Sequence, residues 1–146
     1  MRYLMLLAAI LATASCKDKH DEISIPDAKV KAALALSAFE CSHLAPNKAE
    51  SSRLFNVGIT AGRQFLNFAE TDTNGYKSIA SQVDPIWTAD SPRPSADFVL
   101  GEIHAAALGK VYEYRGRWDE HNREPKRAAL YAEKNCAFLG NTPPPK

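Results

Sequence analysis

The chain has 146 residues, of which 45% are hydrophobic and 24% charged, and its formal net charge is +1. That length suits one domain around one core. The near-neutral balance excludes a polyanion-binding surface or an acidic solvating tail as the organising feature, so nucleic acid is not an expected partner.

Residues 1–15 read as an export signal. Arg2 supplies the positive n-region, Leu4 to Ala12 the apolar h-region, and Thr13, Ala14 and Ser15 the small residues before Cys16. The apolar run is too short to cross a bilayer, which takes about 20 residues, and Lys17, Asp18, Lys19, His20, Asp21 and Glu22 follow it at once. Removing this segment takes Arg2 with it and brings the formal charge to zero. Ala12-Thr13-Ala14 fits a small-x-small cleavage site, and cutting near Ala14 would release a soluble periplasmic or secreted protein. It would also leave a short signal with almost no polar c-region.

The stretch Thr13-Ala14-Ser15-Cys16 resembles the lipobox of bacterial lipoproteins, in which the cysteine after a small residue is diacylated and becomes the mature N-terminus. Thr13 stands where an aliphatic residue is usual, and the resemblance covers the first 16 residues without implying a fold. It implies an exported lipoprotein anchored to the membrane by acyl chains on Cys16 and facing the periplasm or the cell exterior. Residues 16–24 would then be the lipidated N-terminus and tether.

Cysteine count gives independent support, because an exported chain with three cysteines has an odd one to account for. With lipid on Cys16, Cys41 and Cys136 are left to form a disulfide in an oxidising compartment; the alternative is two separate buried thiols. In the chain-entropy account, closing a loop of about 95 residues is worth about 4 to 5 kcal/mol.

The helical domain is expected over residues 25–140. Ser24-Ile25-Pro26-Asp27 opens the first helix, with Pro26 near its first position. Val30, Leu34, Ala38, Cys41 and Ala45 recur along it as the buried stripe, and Pro46-Asn47 ends it. A second helix is predicted over 48–69, with Leu54, Gly58, Ala61, Phe65 and Phe68 on one side and Phe55, Ile59, Gly62, Leu66 and Ala69 on another. Gly58 and Gly62 cost about 1 kcal/mol each relative to alanine, which predicts close approach of a neighbouring backbone. A membrane dimer motif is not implied, because Arg53, Arg63, Gln64 and Glu70 interrupt the run.

Thr71-Asp72-Thr73-Asn74-Gly75 reads as a helix stop closed by a left-handed residue. Residues 76–83 suit a short helix or a strand, halted by Asp84-Pro85. Thr88 to Ser95 read as irregular surface structure, pinned by Ile86 and by Trp87 as a plug over the core. Ser95-Ala96-Asp97 starts a third main helix with a serine cap and an acid near the positive dipole end. Val99, Ile103, Ala106 or Ala107, Val111 and Tyr114 follow its spacing, with Gly101 and Gly109 suggesting tight packing and His104 a packed or solvated side chain. The last helix starts at Glu124-Pro125, turns Ala129, Ala132, Cys136 and Leu139 to one side, and closes at Gly140. Residues 141–146 form a stiff proline-rich tail. The expected fold is all-α: one small bundle of about four main helices with irregular connections and one disulfide.

Catalytic patterns are sparse. Cys41-Ser42-His43 sets a thiol beside an imidazole, but neighbours on a helix point about 100° apart. His20, His43, His104 and His121 are scattered and fit no zinc-binding spacing, so no metal and no cofactor is expected. Glu102, Glu113, Asp119 and Glu120 are acids without a motif. The distinctive polar stretch is residues 114–127, which reads either as a salt-bridge-rich inter-helical loop or, through Arg115, Arg117 and Trp118 with nearby Tyr112, as a candidate binding surface; arginine and aromatic residues are common anchors at interfaces. The expected function is non-enzymatic binding of an envelope protein, as an inhibitor, immunity or exclusion factor. A small envelope hydrolase acting through a carboxylate site is the alternative.

Overall fold

The computed structural model describes residues 23–88, 95–115 and 122–141. The signal segment, Cys16, Arg117, Trp118, Asp119, Glu120, His20 and His121 lie outside them. Five α-helices and no strand are present among the described residues: α1 (Ile25–Leu44), α2 (Lys48–Thr71), α3 (Thr73–Val83), α4 (Ala96–Arg115) and α5 (Arg123–Glu133). Short 3₁₀ turns cover Pro85–Thr88 and Cys136–Phe138. The all-helical expectation holds, with one more helix than the four main ones anticipated.

Helix α1 lies at the centre, packed against α2, α3, α4 and α5. Ser24 caps it, its hydroxyl donating to the Asp27 carboxylate and accepting the Asp27 N–H, with Pro26 in the first turn. Its buried stripe is Ala28, Ala32, Ala35, Ala38 and Phe39, which corrects the expected register: Val30 is 62% exposed. Alanine wins these positions because a helix enclosed on several sides needs small side chains where its neighbours close in. Leu34 is only half-buried, whereas Cys41 and Ala45 are buried as expected.

Asn47 caps α2 by accepting the Glu50 N–H. The expected inner face, Leu54, Gly58, Ala61, Phe65 and Phe68, is buried throughout. A Cβ on Gly58 would lie 2.6 Å from the Phe39 ring, and one on Gly62 would collide with Leu100. The close approach is therefore to side chains, not to the backbone anticipated.

The stop at residues 71–75 takes another form from the one expected. Asp72 ends α2 and caps α3 at once: its N–H donates to the Phe68 carbonyl, and its carboxylate accepts the Gly75 N–H. Asn74 and Gly75 are in the first turn of α3 and not left-handed. Gly75 is needed because a Cβ would collide with that capping carboxylate. Residues 76–83 are helical, with Ile79 and Ala80 buried on helical spacing. Asp84 terminates α3, and its carboxylate accepts the Ile86 N–H. Trp87 is the plug anticipated, buried with its ring edge-on to Phe65 at 4.8 Å, while its carbonyl accepts the Tyr76 hydroxyl at 2.5 Å.

Ser95 caps α4 by accepting the Phe98 N–H. Val99, Leu100, Ile103, Ala107 and Val111 face inward, but Tyr114 is exposed. Gly101 and Gly109 do not pack tightly, since a Cβ on either would meet nothing within 4 Å. On α5, Ala129 and Ala132 are exposed, and Leu130 and Tyr131 pack instead. The helix ends before Cys136, where Asn135 takes a positive φ of 53°. That single residue rotates the following 3₁₀ turn so that Cys136 is buried by a bend and not by continuing the α5 register. Gly140, with φ of 78°, closes the chain against Val57.

Cys41 and Cys136 form a disulfide across 95 positions with Cα atoms 5.5 Å apart. Around it Leu44, Ala45, Leu54 and Val111 make a second core, separate from the main one built on Phe39, Phe65, Trp87, Leu100 and Ile103. Arg53 fastens this end: it donates to the carbonyls of Leu139 and Cys136 and pairs with both oxygens of the Glu50 carboxylate, which also accepts the Tyr131 hydroxyl. No described helix is long and apolar enough to cross a membrane.

Candidate functional site

Helix α4 carries the part of the candidate surface that lies within the described residues. Tyr112 is 55% exposed, and Arg115 is the last residue of the helix. At 100° per residue, Phe98, Gly101, Glu102, Ala105, Gly109 and Tyr112 fall within an arc of about 100° opposite the buried face, and all six are exposed. Phe98 is 48% exposed. Apolar residues are thus spread around all of α4 instead of forming one stripe, a pattern that suits a helix covered on every side. Among the described residues the core covers one side.

A polar depression of 390 Å³ lies where α1, α2 and α4 meet, lined by Ser42, His43, Ser51, Ser52, Phe55, Asn56 and His104. His43 and His104 stack with ring centroids 4.3 Å apart, and Phe39 and Phe55 approach His104 edge-on. His43 Nε2 lies 3.1 Å from the His104 carbonyl, so that nitrogen carries the proton and donates. The buried Ser42 hydroxyl donates to the Phe39 carbonyl at 2.7 Å, which leaves its lone pairs toward His104 Nε2 at 3.4 Å. The serine proton therefore points away from the imidazole, the reverse of what an imidazole base needs to activate a hydroxyl nucleophile. Burial, and then the neighbouring His43, push the His104 pKa below its ordinary value. His104 is a packed side chain, as the sequence suggests. Its pairing with His43 is invisible there, because 61 positions separate them and only the α1–α4 contact brings them together.

Cys41 is not available beside His43, since its sulfur is bonded to Cys136. Glu102 and Glu113 are on one helix, about 16 Å apart along its axis, too far to act as a carboxylate pair. The close charged groups are others: Glu40 with Lys134 at 2.8 Å, and Lys110 between Glu40 and Asp84. These tie α1, α4, α5 and the end of α3 together; burial pushes the Asp84 pKa up, but the hydrogen bonds from Lys110 and from the Ile86 N–H together outweigh it and bring the carboxyl below its ordinary value. Among the described residues no three His, Cys, Asp or Glu side chains converge as metal ligands.

Compared with protein-family models, curated proteins and solved structures, the chain gives no match.

Proposed function

We propose that the protein is a lipid-anchored, non-enzymatic factor of the bacterial cell envelope that binds another protein, of the inhibitor, immunity or exclusion type. The anchor is the acylated Cys16, and the binding surface is the outward face of α4 with the residues that follow it, from Tyr112 through Arg115 and Arg117 to Trp118. The observation that supports this reading is the open side of α4, where Phe98 and Tyr112 stand exposed and the two glycines between them have free space where a side chain would sit. Exposed aromatic side chains beside small residues offer apolar area and room for a close partner, and recognition of this kind needs no reactive group.

The test replaces Tyr112, Arg115, Arg117 and Trp118 with alanine in the full chain. Recovery of the cross-linked envelope complex should fall at least tenfold while the melting temperature stays within about 2 °C, the outcome expected of side chains that serve recognition and not folding. A large loss of folding without a specific binding defect would reject the assignment. Mass spectrometry of the membrane-bound protein should find acyl chains on an N-terminal Cys16; an intact Met1 on unacylated protein would reject the anchor.

A further inference from the structure

We propose that His104 makes the seam between α4 and the α1–α2 pair sensitive to pH, closed while its imidazole is neutral and loosened when the ring takes up a second proton. The geometry dictates which atom receives that proton. The Ser42 hydroxyl is committed to the Phe39 carbonyl at 2.7 Å, so the neutral His104 ring carries its hydrogen on Nε2, which faces the serine oxygen at 3.4 Å. The second proton goes to Nδ1. Among the described residues Nδ1 has no hydrogen-bond partner, so the charged ring gains no acceptor from the protein.

The surroundings offer no compensating charge. α1 and α2 are the helices packed against α4. From α1 the ring meets Phe39, Ser42 and the stacked His43, and from α2 it meets Phe55, with Ser51, Ser52 and Asn56 lining the same depression. The charged groups on these helices have other partners or positions: Glu40 is with Lys110 and Lys134, Asp97 is with Arg63, and Glu102 is on the outward side of α4. Lys48, one turn before Ser52, is a like charge. His43 donates from Nε2 to the His104 carbonyl in either of its charge states, so it can charge without losing that bond, whereas His104 charges against burial and against His43. The folded chain therefore takes up fewer protons than the unfolded one just below pH 6.5, and the seam weakens as pH falls through that value. The loosening is local, because α4 is held on either side of His104 by the pairs Asp97–Arg63 and Lys110–Asp84.

Proton NMR of the histidine Cε1 hydrogens and amide hydrogen exchange, both on the full chain between about pH 7.5 and pH 5, test the seam. In the folded protein the His104 ring should titrate below 6.5. Once the intrinsic pH dependence of exchange is removed, opening of the α4 amides around His104 should rise about threefold or more across that range, while α3 stays unchanged. His104→Gln, which keeps a polar side chain but cannot take the second proton, should abolish the rise. A ring that titrates at 6.5 or above in the unsubstituted chain would overturn the proposal without any variant having to fold. So would an equal rise in His104→Gln, or a rise of the same size in α3, since either places the acid response outside this seam.

Discussion

Glu50 shows how much of one end of the molecule depends on one side chain. Its carboxylate holds Arg53 from two sides and accepts the Tyr131 hydroxyl at 2.5 Å, while Arg53 carries the carbonyls of Cys136 and Leu139. The hydrogen bonds from Arg53 bring the Glu50 pKa down to about 2 from 4.5, against the opposing effect of burial. A depressed carboxyl stabilises the fold above the unfolded value and loses that contribution as pH falls through the folded one. Stability should therefore decline between pH 4.5 and pH 2 by about 1 to 2 kcal/mol on this account, allowing for solvent screening. Urea unfolding across that range should show the decline in the native protein and a flatter profile in Glu50→Gln. Identical slopes would mean that the clasp contributes nothing. None of this is legible in the sequence beyond an i,i+3 Glu–Arg pair, because the carbonyls that Arg53 reaches are 83 and 86 positions away.

At the scale of helices, starts were more readable than stops: the stop read at residues 71–75 took another form, and α5 ends at Glu133, short of the expected Gly140. Ser24, Ser95 and Asp84 act where local chemistry says they should, because each acts on a backbone group two or three residues away. Registers were readable only where large apolar residues dominate, as on α2. On α1 the valine and leucine suggested a face that the alanines own, since the number of neighbours around a helix is a tertiary property. Glycines divide in the same way: Gly58, Gly62, Gly101 and Gly109 look alike in sequence, each well inside a helix, but only the surrounding structure says which sites are full. Gly58→Ala should destabilise by about 1 to 3 kcal/mol, because the added methyl meets the Phe39 ring. Gly101→Ala and Gly109→Ala should each stabilise the fold by about 0.5 to 1 kcal/mol, having open space to fill. Denaturant titrations read both signs, and a destabilised Gly109→Ala would show that its helix is more crowded than described.

Across the whole molecule, the disulfide joins the central helix α1 to the turn that follows α5. The helical class and the Cys41–Cys136 pairing both followed from the sequence, the first from periodicity and the second from an odd cysteine count; the bend at Asn135 that brings Cys136 home did not, since asparagine tolerates the left-handed region without requiring it, as Asn74 inside α3 shows. The depression holding His43 and His104 escaped for the same reason as the Arg53 clasp, distance along the chain. Replacing both cysteines with alanine should cost about 2 to 4 kcal/mol, read as a lower denaturation midpoint that reductant no longer shifts. An unchanged midpoint would mean that the two cores hold the chain ends without it.

The span of that covalent link has a further result for survival under proteolysis. A protease that severs the backbone once, anywhere between positions 41 and 136, produces two pieces that stay joined through sulfur. The nicked molecule would migrate as one species until a thiol separates its halves.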